Sequence, residues 1–269
     1  MFDAAVVINL QRRPELFQRF MAGVRRVDWP FPEPIRLDAV DGTLHPPPDW
    51  FRCSAGSWGN LKSFLQIFTA AIRDGIESVV IFEDDAVFPH DDFGDRVREF
   101  VAAVPDDWDQ IYLGGGHHCR GVLAKDVQKL IAAEQINPVP QPLPIKPGTN
   151  PVVYFGLPVP VNDLVLRANC VFGAWATVWR RPAFSAMADT IRRFPNCLAE
   201  PFFYPDRLVG TLQWHGKLKA YAPWRWLVHH GSGQSDSSDA MYKEDYSFDL
   251  HEAIHDALWH EYQKEKVAC

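Results

Sequence analysis

Between Ser78 and Phe82 the chain runs through a short stretch without charge, Ser78-Val79-Val80-Ile81-Phe82, and then sets three carboxylates in a row, Glu83-Asp84-Asp85. So short and continuous an apolar run is typical of a strand buried on both faces, as in a parallel sheet covered by helices. In such sheets ligands gather beyond the carboxyl ends of the strands, which is where the acids fall. Adjacent carboxylates repel one another and are best tolerated where solvent or a cation offsets the charge. A solvated turn capping the next helix would explain them too, but the apolar strand leading into them favours metal binding.

The flanking segments alternate in the same way. Ala4 to Leu10 is apolar and rich in β-branched residues, and after it Pro14 opens a helical pattern through Leu16, Phe17, Phe20 and Val24. Ile35 to Val40 suits a second strand, stopped by Asp41-Gly42 and the prolines at 46, 47 and 48. Leu61, Phe64, Leu65, Phe68 and Ile72 form one face of a helix over Asn60–Ile72 that Asp74-Gly75 ends. A helix over Phe93–Val104 and a strand over Gln110–Leu113, closed by Gly114-Gly115-Gly116, complete the series. Strands alternating with helices predict an α/β fold, Rossmann-like, with a mostly parallel central sheet flanked by helices.

Over 117–163 the periodicity fades, and prolines at 138, 140, 142, 144, 147, 151, 158 and 160 predict an irregular insertion covering or flanking a site. Regular pattern returns from Leu164 to Val178, followed by a helix over Pro182–Phe194 and a last one over Leu250–Lys264. One domain over residues 1–269 is therefore expected.

Composition removes several alternatives. No stretch approaches the ~20 apolar residues of a membrane span, and the amino terminus reads as a strand rather than a secretion signal. The expected location is cytoplasmic, free or at the inner face of a membrane. Cys53, Cys119, Cys170, Cys197 and Cys269 lack ligand-like spacing, which favours free thiols over disulfides or zinc. A formal net charge of −7 with no basic block disfavours an electrostatic nucleic-acid binder. Of the ten tryptophans, most are expected in packing rather than as platforms for sugar rings.

Downstream, His229-His230-Gly231-Ser232-Gly233 follows the apolar Trp226-Leu227-Val228. Either histidine could supply a further metal ligand, and the glycines would let backbone amides approach a diphosphate, with Ser232 as a hydroxyl donor. As a lone signal the segment is explained better by an ordinary loop. Gly114-Gly115-Gly116-His117-His118 has the same composition and receives no assignment.

Seven pieces in register resemble glycosyltransferase family 25, the lipooligosaccharide-type enzymes of GT-A fold. They are Val7-Ile8-Asn9-Leu10 with Arg12-Arg13-Pro14-Glu15, Arg36 to Gly42, Gly59-Asn60-Leu61-Lys62-Ser63, Val80 to Ala86, Trp108 to Gly115, Asp206-Arg207-Leu208, and Gly233 to Ser237. The resemblance implies a nucleotide-binding half over 1–116 and an acceptor-side half over 164–269. It implies that the turn carrying Asn9, Leu10, Arg12 and Arg13 and the loop carrying Asp38, Asp41 and Gly42 surround base and ribose. Glu83 and Asp84 would meet ribose or water ligands, and Asp85 would bind Mn2+ or Mg2+ directly; Glu83 and, from the reading of the residues above, His229 or His230 are the further candidate ligands. Gly231 and Ser232 would face the diphosphate of a UDP-sugar donor.

Asp206 corresponds to a later acid of the family and is the candidate base that deprotonates a saccharide or glycoconjugate hydroxyl; as a helix N-cap it is explained equally well. Arg180, Arg181 and Arg207 are candidates to neutralise phosphate. The chain departs from the family at Phe64, where a histidine is usual, and at His229 or His230, where glutamine is usual. Two other readings stand beside sugar transfer to a glycan: glycosylation of hydroxymethylated bases of phage-type DNA, and a noncatalytic nucleotide- or glycan-binding relative.

Overall fold

Each apolar run of the first half becomes a strand or helix close to its expected bounds. In the computed structural model all residues are described except 50, 52, 117–119, 124–151, 172, 193–204, 232, 235–240, 243–255, 257 and 267–269. Only the backbone is described at 120–123, 152–155, 205–207, 211, 233–234 and 241–242. The first half contains β1 (Ala4–Asn9), α1 (Pro14–Arg26), β2 (Ile35–Asp38), α2 (Ala55–Arg73), β3 (Ser78–Glu83), β4 (Ala86–Val87), α3 (Phe93–Ala103) and β5 (Gln110–Gly114). Then come β6 (Arg120–Leu123), β7 (Val152–Phe155), β8 (Val159–Pro160), β9 (Val165–Ala168), β10 (Ala176–Arg180), α4 (Arg181–Arg192), α5 (Pro205–Trp214) and β11 (Ala220–Pro223). Three two-residue strands follow: β12 (His229–His230), β13 (Gly233–Gln234) and β14 (Met241–Tyr242).

The eight-stranded sheet has the order β2-β1-β3-β10-β5-β11-β9-β8. β1, β2, β3, β5, β8 and β11 run one way, and β9 and β10 run against them. The expected α/β sandwich with a mostly parallel sheet therefore forms. β3 shows why its run is continuous. Val80 and Phe82 pack into a cluster with Phe20 and Val24 of α1 and Val97 and Phe100 of α3. Val79 and Ile81 pack on the other face with Phe64 and Phe68 of α2 and Phe184 and Met187 of α4. All four strand residues are buried, each worth about 1.5–3 kcal/mol relative to exposure. The strand end that delivers the acids is correspondingly fixed.

Local chemistry sets the helix ends. Pro14 occupies the first turn of α1, and Arg25 and Arg26 sit in its last turn, where the helix dipole favours cations. α2 begins five residues before its expected start, because the Ser54 side chain accepts from Ser57 N at 3.0 Å and caps it. It ends as expected at Asp74-Gly75. Gly75 has φ 71, and Ile76 N and Gly75 N donate to the carbonyls of Ala71 and Ile72.

The second half departs further from expectation. The stretch from Leu164 to Val178 splits into β9 and β10, and β10 inserts antiparallel between β3 and β5. The ends of the expected irregular insertion are tied together, since β6 pairs with β7; the residues between them lie outside the described set. Residues 258–266 are helical, in agreement with a last helix. No described helix is long and apolar enough to cross a membrane.

Candidate metal centre

Because β1, β2, β3 and β5 share one direction, Asn9, Asp38, Glu83 and Gly114 end at the same edge of the sheet. There each acid of the triplet takes a different partner. Glu83 Oε1 accepts from Asn60 Nδ2 of α2 at 2.8 Å. Asp84 Oδ2 accepts from Asn9 Nδ2 at 2.5 Å. Asp85 Oδ2 lies 3.1 Å from His230 Nε2.

A short ladder brings the histidine there. β12 pairs antiparallel with β4, His230 opposite Ala86 and His229 opposite Val87, and Gly231 N donates to Asp85 O at 2.7 Å. A Cβ on Gly231 would stand 2.8 Å from that oxygen and 3.1 Å from Arg19 Nη2, so glycine permits the approach. Trp175 supports both sides of the site. Its carbonyl accepts from Glu83 N at 2.9 Å, its indole Nε1 donates to Val228 O at 3.1 Å, and its ring stands edge-on to His230 at 5.2 Å.

One ligand atom from each of Glu83, Asp85 and His230 lies within 4.8 Å of the others. Asp85 Oδ1 is buried and makes no hydrogen bond with any described residue, an arrangement costly unless a cation or donor meets it. Two carboxylates and an imidazole suit a small divalent cation, with the nitrogen favouring Mn2+ over Mg2+. Burial alone would lower the pKa of His230, but the hydrogen bond to Asp85 and the charges of Asp85 and Glu83 outweigh it and push it up to about 9. Without a metal the contact with Asp85 favours the protonated ring of His230; as a metal ligand the ring would be neutral. His229 is not part of this group, and its ring faces His90 at 6.4 Å.

The two loops expected around a nucleotide are joined. Arg12 Nε donates to Asp41 Oδ2 at 2.8 Å, and Thr43 donates to Asp41 Oδ1 through N and Oγ1. The Thr43 hydroxyl, helped by Arg12, holds the Asp41 carboxyl below its usual range. Gly42 is buried, and a Cβ there would overlap the Ala55 carbonyl. Ser63 Oγ accepts from Val40 N at 2.9 Å and donates to Gly59 O at 2.8 Å, pinning the same loop to α2. Leu10 O accepts from Arg13 N, closing the turn after β1. Asp38 stays exposed, with Arg36 Nη2 3.5 Å away. Asn9 is buried, and both ends of its amide are engaged: Nδ2 donates to Asp84 and to Arg13 O, and Oδ1 accepts from Arg36 Nε at 2.8 Å. It positions Asp84.

Several expectations need correction or lie outside the described residues. Arg180 pairs in register with Ser78, at the opposite end of β3 from Glu83, and Arg181 binds Glu77. Neither can reach a phosphate at the acidic edge, because β10 runs backwards. Asp206 falls inside the first turn of α5 rather than at its cap, and its side chain, like that of Arg207, is not among those described. Ser232 lies outside the described residues, as do His117 and His118. Phe64 is core, its ring 6.0 Å from Phe68. Trp175, Trp179, Trp224 and Trp226 are all buried, in keeping with packing roles. Asn60, Arg19 and Arg36 received no site role from the sequence; the one signal for Asn60 was a polar residue between Gly59 and Leu61 at the start of an apolar helix face.

No family model matches the chain. It is 30% identical over 133 residues to inactive glycosyltransferase 25 family member 3 of Homo sapiens, covering 42% of this chain and 22% of that protein. A probable inactive glycosyltransferase 25 family member 3 of Rattus norvegicus is 31% identical over 134 residues, covering 42% of this chain and 23% of the relative. The match thus spans less than a quarter of these relatives' own length. Among solved structures, mannose-1-phosphate geranyltransferase from Thermus thermophilus superposes with a TM-score of 0.37 at 10% identity, over 83% of this chain and 74% of that one. A197 from STIV gives a TM-score of 0.34 at 10% identity, over 91% and 96%. Likenesses that distant do not bear on function. By the sequence matches, the chain is a divergent relative of the glycosyltransferase 25 family.

Proposed function

We propose that the protein transfers a sugar from a nucleotide-sugar, a UDP-sugar in the first instance, to a hydroxyl of a saccharide or glycoconjugate, with Mn2+ or Mg2+ held by Glu83, Asp85 and His230. One observation carries the proposal: two carboxylates and an imidazole converge within 4.8 Å at the carboxyl edge of a buried strand, with an Asp85 oxygen among them that no described residue meets. The cation would supply charge neutralisation for the departing diphosphate. The remaining work falls to side chains. Asp84, held toward β1 by Asn9, would accept from a ribose hydroxyl. The Arg12–Asp41 link holds the two nucleotide loops together. In an inverting course Asp206 would take the acceptor proton as the acceptor oxygen bonds the anomeric carbon and the bond to diphosphate breaks; that role rests on the family resemblance.

A second reading has an observation in its favour. The relatives matched are named inactive, so a protein that binds nucleotide without turnover is its rival. Thermal-shift measurements with UDP, GDP and CMP, with and without Mn2+, separate the two when paired with a donor-hydrolysis assay. A Mn2+-dependent shift with UDP and chelator-sensitive hydrolysis is the expected result. A shift without hydrolysis supports binding alone, and no shift with any nucleotide sinks both readings.

A further inference from the structure

Among the buried side-chain atoms that make no hydrogen bond in the described residues, three are nitrogens, of Arg36, Gln110 and Arg180, and two are oxygens. Both oxygens belong to the acidic edge: Asp85 Oδ1 and Asn60 Oδ1. Each is an acceptor, so what would complete each is a donor or a cation. The Asn60 amide can face only one way. Reversed, it would set its oxygen against Glu83 Oε1 at 2.8 Å, acceptor against acceptor. With Nδ2 donating to Glu83, Oδ1 sits across the same amide carbon, on the order of 5 Å or less from that carboxylate oxygen. The backbone beneath it is held in place: a Cβ on Gly59 would overlap Val40 O, and Leu61 is buried.

We infer that Asn60 is a fourth member of the cation centre, its N–H orienting Glu83 and its amide oxygen accepting a hydrogen bond from a water bound to the cation. The inference rests on the reading of Glu83, Asp85 and His230 as a cation site. Asn60 is a positioning residue, of the kind that sets ligand orientation from outside the coordination sphere.

Titration of the full chain with Mn2+ alone, followed by electron paramagnetic resonance, tests it in wild type, Asn60→Leu and Asp85→Ala. Melting is recorded without metal. Asn60→Leu is expected to weaken Mn2+ binding about 10–100-fold, while the metal-free melting temperature stays within a few degrees of wild type, because losing the bond to Glu83 is offset by removing an amide oxygen that no described residue meets. Should Asn60→Leu fail to fold, Asn60→Ala is read in its place. Wild-type affinity in the Asn60 variant, with binding lost in Asp85→Ala, overturns the inference and spares the centre. Undiminished affinity in Asp85→Ala overturns the centre itself.

Discussion

The two ends of β3 carry acids in similar number and use them differently. At the amino end Asp3 Oδ2 accepts from Glu77 N, Ser78 N and the Ser78 hydroxyl, and Glu77 binds Arg181. Before the parallel strand β5, Asp107 accepts from Lys219 Nζ and the Tyr221 hydroxyl, both at 2.8 Å, and Asp109 accepts from Lys219 N. Each of these carboxylates is met by a backbone amide, an ammonium, a guanidinium or a phenol. At the carboxyl end the acids are consecutive, two converge with a histidine, and Asp85 keeps a buried oxygen that no described residue meets. Acids answered by the fold serve the fold. Acids crowded together at a strand tip would, on the proposed function, hold charge for a ligand at a cost in stability.

That contrast can be broken by experiment. Asp85→Ala should produce the largest effect, a loss of chelator-sensitive donor hydrolysis of more than about 100-fold, which corresponds to about 3 kcal/mol of transition-state stabilisation. If hydrolysis persists, the carboxyl edge is no more functional than the other. Asp3→Ala is the mirror test. It should cost about 1–2 kcal/mol in urea denaturation, through the two backbone amides it leaves without an acceptor, and leave Mn2+ affinity as in wild type. A large fall in Mn2+ affinity from that end would erase the distinction.

The smallest effect should come from Tyr221. Burial, then the hydrogen bond to Asp107, push its pKa up to about 12. The raised value means that the folded chain keeps the phenol proton longer than the unfolded chain does. The resulting stability is complete below pH 10 and disappears as pH rises through 12. The advantage of wild type over Tyr221→Phe, about 1 kcal/mol at pH 8, should therefore shrink between pH 10 and 12, with Mn2+ affinity equal in the two proteins. An advantage that stays constant across that window would remove the Tyr221–Asp107 bond from the description of the amino edge.

What could be read from the sequence and what could not divide along physical lines. β1, β3 and β5 were legible because a strand buried in the sheet interior must be largely apolar along its length, β2, an exposed edge strand, because Asp41-Gly42 and the prolines after it mark its stop, and the Asp74-Gly75 stop because a left-handed residue there favours glycine. Strand direction was not legible. An apolar run reads the same either way, so the reversal of β10 went unseen, and with it the displacement of Arg180 and Arg181 to the wrong edge. The acidic triplet could be found because its members are consecutive. The choice of His230 over His229 could not, because it depends on the β4–β12 ladder, whose two residues per strand are too few for any periodicity to register and whose partners are distant in the chain. Asn60 was hidden differently: a polar residue at the edge of an apolar helix face looks like ordinary surface until its two amide groups are placed.

The same ladder has a mechanical consequence. More than half of the chain lies between Asp85 and His230, so an ion gripped by both would act as a buckle between the first and second halves. Its affinity would then count toward folding as well as chemistry. Chelation would loosen residues 220–231 from the early strands before it disturbed β1 or β3, and hydrogen exchange at Leu227, Val228 and Gly231, whose amides reach back to Leu113 and Asp85, is where the slackening would first be seen.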